Sequence, residues 1–316
     1  MVKGQVSLFN QFPVHFKDDA GADLQRALLL SITTGFPISQ RARVQTGPSR
    51  IIQRLKVPEA MRRWQTGRAL VGVTDLHFRG TRFEEAIDCS ALSDFDILCS
   101  DPEFVEQIEM LSLVVSSKGT FTDSHTDDCD GSNHCFIGKK LWLAWDRIEG
   151  NAKGLQDVDR DEVSEQARFD IKTFVSLASA RWFVVKADET LFLPGSLTHK
   201  VITLEPYIGI GGFHVTLPAY LRSLKRWILH DTLDINPRDL LAKLNQAIIE
   251  KVVEVQKGSP RLQAHWGLGY LQKAVHDWQM NERPATKRSL MKHPAFAAFI
   301  AAACDSIDGP TPSSWR

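Results

Sequence analysis

Residues 116–145, SSKGTFTDSHTDDCDGSNHCFIGKKLWLAW, constrain this chain more than any other stretch. They hold a His-x-Asp pair, His125 and Asp127, and, fifteen residues beyond that histidine, Lys140 in an apolar run. A later segment, TLFLPGSLTHKVITL at 190–204, carries His199. In an extended strand residues i and i+2 lie on one side, so a His-x-Asp pair at a strand end aims both side chains the same way. Two imidazoles and one carboxylate are the donor set of a mononuclear non-haem Fe(II) site, which occupies one face of the metal and leaves positions open. The second imidazole must then arrive from another strand, so a large gap in sequence is expected. Taken alone the pair is a weak signal, and the plain alternative is a capped loop with a surface aspartate.

The surroundings strengthen it. Residues 191–195, Leu-Phe-Leu-Pro-Gly, read as an apolar strand running into a Pro-Gly turn, with His199 at the start of the next strand, 201–204. Lys140 lies within FIGKKLWLAW, where a lysine among apolar neighbours needs an anionic partner or an exit to water. The alternative for Lys140 is an ordinary edge lysine.

These motifs resemble those of the Jumonji-C (JmjC) oxygenases, most closely the lysine-demethylase branch associated with PHD and F-box modules. GTFTDSHTDDCDGSNHCFIGKKLWLAW is similar to that branch's threonine three residues before the first ligand histidine, its loop, and its strand ending in Gly-x-Lys. LFLPGSLTHKVITLEPYIGIGGFHV is similar to the family's Pro-Gly turn, distal histidine and Gly-Gly strand, and LVGVTDLHFRGTRF (70–83) to the segment before its core. The likeness spans roughly 68–230. It implies that His125, Asp127 and His199 bind Fe(II), and that Thr122 and Lys140 hold the distal carboxylate of 2-oxoglutarate. Asn133 matches a polar position near the co-substrate. It implies reaction with O₂, release of succinate and CO₂, and hydroxylation of a nearby C–H bond in a small molecule, peptide or protein side chain. When that carbon is an N-methyl the outcome is demethylation. Two features depart from the branch: the 128–139 loop is shorter and reads DCDGSNH, and GGFHV stands where an asparagine often follows the glycines. Both touch the substrate side.

Composition bounds the remainder. With 316 residues, 43% hydrophobic and 24% charged, the chain has length for a substantial core plus additions. A formal net charge of zero supplies no global field for nucleic acid or acidic membranes, and neither is expected as a partner. Five scattered cysteines without a CxxC pair argue for a reducing, intracellular compartment, cytoplasmic or nuclear, and against a zinc module. The first residues show no secretory h-region, and the longest apolar run, 295–304, is too short to span a bilayer.

Three regions are expected: a helical and basic flank (1–67), a catalytic core (68–230) and a helical carboxyl-terminal region (231–316). Leu24, Ala27, Leu28 and Ile32 are spaced for a helix within 18–32, stopped by Gly35 and Pro37. Residues 41–68 carry eight basic side chains against the single acid Glu59. They read as a solvated helix face with a basic loop, the alternative being a patch for phosphate or an acidic partner. Residues 84–111 wrap the core, ending in a helix at 102–109, and a strand at 111–115 leads into the metal stretch. An acidic insert (146–165), a helix through about 178 and a strand at 182–186 follow. Short strands returning to a shared metal suit an α+β chain built on a double-stranded β-helix, the jelly-roll or cupin-like architecture. Beyond it, Asn236 is a candidate N-cap for a helix starting at Pro237 and closed by Gly258, with Leu240, Leu241, Leu244, Ile248, Val252 and Val255 as its stripe. Ser259-Pro260 begins another helix, with Leu262, Trp266, Tyr270 and Ala274 on one face. These helices pack on the core or form a homodimer contact.

Among the other histidines, His134 in the short loop is expected to face solvent or substrate, and His214 to be a hydrogen-bonded core residue. His15 and His77 read as structural. Asp128 and Asp130 are candidates to orient a basic substrate group. The leading function is a hydroxylating oxygenase. The alternatives are a histone-type lysine demethylase, against which stand the missing reader module and only three tyrosines, and a non-catalytic JmjC-like binding module.

Overall fold

A computed structural model describes residues 6–17, 23–46, 51–67, 69–100, 111–127, 129–155, 169–230 and 237–304. Strands β1 (Ser7–Asn10) and β2 (His15–Phe16) precede helix α1 (Leu24–Gly35). Asp23 caps α1 by accepting from the Arg26 N–H at 3.1 Å, and Leu28, Leu29 and Ile32 are buried at helical spacing. The basic segment that follows departs from expectation. It forms a hairpin, β3 (Arg41–Thr46) and β4 (Ile51–Lys56), before helix α2 (Val57–Thr66). Strand alternation decides it: Ala42 and Val44 are buried while Arg41 and Arg43 are exposed. Arg50 and Arg68 lie outside the described residues.

Strand β5 (Val71–His77), the short helix α3 (Arg82–Glu85) and strand β6 (Ile87–Asp88) come next. The helix expected at 102–109 lies outside the described residues. Strands β7 (Ser112–Ser116), β8 (Phe121–Thr126) and β9 (Asp130–Asp146) lead to helices α4 (Arg147–Ala152) and α5 (Ile171–Val175). Then β10 (Arg181–Lys186), β11 (Glu189–Leu193) and β12 (Leu197–His214) complete the strands.

The molecule is α+β, organised on one ten-stranded antiparallel sheet in which β9 and β12 are the central pair. These two run antiparallel from Leu197 opposite Asp146 to His214 opposite Asp130. Between Thr203 and Gly209 the register shifts, and both strands change their outer neighbours. On one side of the shift the order is β8-β12-β9-β10, and on the other β7-β12-β9-β11. Beyond β7 the sheet continues through β5 and β3 to β4, and β1 pairs outside β11. Gly138 sits at the shift with φ 89°, where a Cβ would lie 2.0 Å from the Pro206 carbonyl oxygen. Only glycine lets the strands pass so closely there.

The run LWLAW is apolar throughout because β9 is covered on both faces. Trp142 and Ala144 pack with Val185, Leu191 and Val201, while Leu143 and Trp145 pack under Leu155, Phe174 and Leu177. Helices α1 and α2 cover Val44, Val73, Leu113 and Val115 on the extended part of the sheet.

The carboxyl-terminal region holds helices α6 (Leu217–His230), α7 (Pro237–Lys257), α8 (Pro260–His265), α9 (Leu268–Asn281), α10 (Pro284–Met291) and α11 (Pro294–Cys304). Leu241, Leu244, Ile248, Val252 and Val255 of α7 are buried in a second core with Leu224, Leu271, Val275 and Phe299. Asn236 and the Leu240 side chain lie outside the described residues. The single helix expected from Ser259 onward is two, α8 and α9, divided at Gly267, whose φ of 67° is left-handed and ends the helical path. Among the described residues no helix is long and apolar enough to cross a membrane.

Candidate metal centre

Adjacent strands bring the two histidines together. His125 of β8 lies directly across the ladder from His199 of β12, with ring centroids 4.2 Å apart and planes tilted by 56°. Asp127 follows β8 and turns its carboxylate between them. One oxygen is 3.9 Å from His125 Nε2, and the other 3.6 Å from His199 Nε2. One ligand atom from each residue lies within 4.8 Å of the other two, a spacing a single ion would span.

The backbone sets which nitrogen is available. His125 Nδ1 is 2.7 Å from the Asp123 carbonyl, and His199 Nδ1 is 3.3 Å from the Leu197 carbonyl. A carbonyl only accepts, so each Nδ1 carries a proton and each Nε2 is the nitrogen that faces Asp127. Burial, helped by neighbouring His125, holds the His199 imidazole down at about 4, so it is neutral at ordinary pH. Trp142 stacks on the His199 ring at 5.5 Å and 28°, fixing its plane.

Further bonds tie the ligand segments to one another. The Ser196 N–H donates to the Asp127 carbonyl at 2.9 Å, and the Thr126 and Thr198 hydroxyls meet at 2.9 Å. Asp130, buried at the start of β9, accepts from the Gly195 N–H at 2.9 Å and from the Thr216 hydroxyl at 2.6 Å. Burial pushes the Asp130 carboxyl above the usual carboxylate range, against the pull of these bonds. Asp130 thus clamps the Pro194–Gly195 turn that leads into His199.

Lys140 is buried, and its Nζ lies 4.3 Å from the centroid of the Tyr207 ring. Burial lowers its pKa to about 8, and no carboxylate among the described residues offsets that. Lys140, Trp142 and Ala144 share one face of β9, and Ala144 is opposite His199, so the ammonium stem rises on the face that bears His199 and His125. The Tyr207 hydroxyl donates to Asn133 Oδ1 at 2.6 Å, which places Asn133 beside the same ring. Thr122 is opposite Val201, with one extra β8 residue between it and His125. That bulge returns Thr122 to the face of His125 despite the odd spacing. It is exposed, at a cleft of about 180 Å³ shared with Arg43, Gln45 and Asp123.

The histidines and the aspartate expected as ligands therefore meet, while Lys140 and Asn133 meet at Tyr207. No protein-family model matches the chain, and no curated protein does either. Two expectations are corrected. His134 is not in a loop facing solvent or substrate. It is buried within β9, bonded through Nδ1 to the Thr190 hydroxyl at 2.8 Å and held by burial at a pKa of about 4. Asp130 is sealed by its two donors and unavailable to a basic substrate group, and Asp128 lies outside the described residues. His214 is the core histidine expected, between Ser132 (2.7 Å) and Asp96 (3.4 Å). Tyr207 and Trp142 escaped the sequence reading. Trp142 was detectable by its period-two spacing from Ala144 and Lys140, whereas nothing local marked Tyr207.

Proposed function

We propose that this chain is an Fe(II)- and 2-oxoglutarate-dependent oxygenase of the Jumonji-C type, hydroxylating a C–H bond of its substrate. The observation that carries this is the His125–Asp127–His199 group, with both Nε2 atoms within 4 Å of the Asp127 carboxylate and one donor atom of each residue within 4.8 Å of the others. The donor set fits Fe(II): two imidazoles and one carboxylate suit a divalent ion of borderline hardness, and the second bond of each imidazole is already made. The change of partners along β9 and β12 supports a double-stranded β-helix, with β8-β12-β9-β10 and β7-β12-β9-β11 as its two halves.

His125, Asp127 and His199 would hold the iron. Bound there with 2-oxoglutarate, it supplies O₂ activation and C–H oxidation, with succinate and CO₂ released. The remaining roles belong to the chain. Lys140, a buried cation with an aromatic neighbour and no carboxylate beside it among the described residues, is suited to the distal carboxylate of 2-oxoglutarate. Thr122 has a hydroxyl to donate on the same face. Asn133 accepts from Tyr207 through Oδ1, which leaves its amide N–H groups to donate. Trp142 covers one face of His199 and keeps water from it.

The test is succinate formation from 2-oxoglutarate by the purified chain with Fe(II) and ascorbate under air. Slow uncoupled turnover by the wild type, lost in His199→Ala, is expected. A wild-type chain that binds a divalent metal but forms no succinate would overturn the reading.

A further inference from the structure

Beside the metal centre one residue of β12 faces two of β8. Between the pairs His199–His125 and Val201–Thr122, β12 supplies Lys200 alone, while β8 supplies Asp123 and Ser124. Such a bulge gives up regular ladder bonds and is kept where it re-aims a neighbouring group. Here it brings the Asp123 carbonyl to His125 Nδ1, at 2.7 Å. In a regular ladder carbonyls lie in the plane of the sheet, away from the side chains of their own strand. The contact with His125 therefore depends on the bulge keeping its shape.

Lys200 and Asp123 meet across this bulge. Lys200 Nζ donates to Asp123 Oδ1 at 3.2 Å, and each side chain is only 13% exposed. The Lys200 ammonium also stands 4.6 Å from the centroid of the Phe121 ring and 5.6 Å from that of Phe169. Phe121 begins β8, and Phe169 packs with the layer that covers Leu143, the β9 residue opposite Lys200. Alternation along β12 sends Lys200 to the opposite face of the sheet from His199. A carboxylate and two rings thus hold the ammonium on the far side of the sheet from the metal ligands. Exposed ion pairs contribute little, because water screens them and two long side chains must be ordered. A pair this buried differs, since removing one partner leaves the other charge uncompensated.

We propose that Lys200 is a positioning residue of the metal centre, acting through Asp123. The side-chain contact fixes the bulge, the bulge fixes the Asp123 carbonyl, and the carbonyl keeps a proton on His125 Nδ1 so that Nε2 serves the metal. Lys200 directly follows His199, so one ion pair ties the neighbourhoods of both ligand histidines. Lys139 and Glu205 supply the contrast. They pair at 2.7 Å across β9 and β12, yet are 42% and 49% exposed, and neither adjoins a ligand in the chain. The proposal rests on the metal centre and not on the oxygenase reading.

Two readings test it: Mn(II) affinity, and the nitrogen NMR shifts of the His125 ring in the metal-free chain, assigned by comparison with His125→Ala. At mildly alkaline pH a histidine ring holds one proton, and these shifts show which nitrogen carries it. In the wild type that nitrogen is expected to be Nδ1. Lys200→Met should move part of the population to the Nε2-protonated form and weaken Mn(II) binding about 10- to 100-fold. Lys200→Arg, which keeps the charge and the ring contacts, should restore both readings, and Lys139→Met should change neither. Circular dichroism checks folding. Should Lys200→Met not fold, Asp123→Asn/Lys200→Met removes both charges together and is read in the same way. A folded variant that keeps wild-type shifts or wild-type Mn(II) affinity would overturn the proposal and leave the metal centre standing, as would equal losses in Lys139→Met. A wild type that binds no Mn(II), while Lys200→Met still moves the His125 proton, would overturn the metal centre and the role proposed in it, and only the hold on the His125 ring would stand.

Discussion

The Nε2 atom of His199 lies 3.6 Å from one oxygen of Asp127, and that of His125 lies 3.9 Å from the other. The carboxylate is thus shared between two imidazoles whose far nitrogens are tied to the backbone. The three donor atoms lie within 4.8 Å of one another, a spacing a single cation would span.

The chain is accordingly expected to bind one Mn(II) or Fe(II), read by calorimetry or by the loss of the free Mn(II) spin signal. His125→Ala, Asp127→Ala and His199→Ala should each weaken this by more than about 100-fold, above the loss typical of an outer-shell partner. Added Mn(II) should raise the melting temperature of the wild type and not of Asp127→Ala. Wild-type affinity in any of the three would remove that residue from the ligand set.

Lys140 makes a pH prediction. Burial lowers its folded-state pKa from 10.5 to about 8, so between those values the unfolded chain keeps a proton that the folded chain has released. Its contribution to stability therefore rises with pH across that window. Lys140→Met should exceed the wild type in stability at pH 7, and the gap should shrink by about 3 kcal/mol as pH climbs past the window. A carboxylate ligand needs the charged form, so 2-oxoglutarate affinity should fall about tenfold per pH unit above 8. Denaturant titrations and ligand binding across pH check both, and a flat affinity profile would place the co-substrate elsewhere.

Asp130 should behave as a clamp. Asp130→Ala leaves the Gly195 N–H and the Thr216 hydroxyl without their acceptor, at about 1–3 kcal/mol each. By loosening the turn before His199 it should also weaken metal binding about 10- to 100-fold. Normal stability and metal affinity in this variant would show that the turn is held by other means.

Two glycines at positive φ should differ in cost. Gly67→Ala at φ 62° meets nothing within 4 Å and should cost about 1 kcal/mol for the left-handed backbone. Gly138→Ala adds a clash with the Pro206 carbonyl to φ 89° and should cost at least about 3 kcal/mol by denaturant unfolding. Equal costs would contradict the close strand passage at the register shift.

What the chain announces locally is its donor chemistry and its helical stripes. His125, Asp127 and His199 stood out because few residue types bind such an ion, and a strand's period of two makes His-x-Asp meaningful. The stripe of α7 was visible for the same kind of reason, since Leu241, Leu244, Ile248, Val252 and Val255 repeat at the helical period. The first part of β9 was not visible. Asp130, Ser132, Asn133 and His134 have the composition of a loop, yet they fill a central strand because each finds a partner across the sheet. Those partners, Thr216, His214, Tyr207 and Thr190, stand 56 to 86 residues away. Propensity and spacing act between near neighbours, whereas satisfying a buried polar group depends on distant segments meeting, which only the tertiary fold decides.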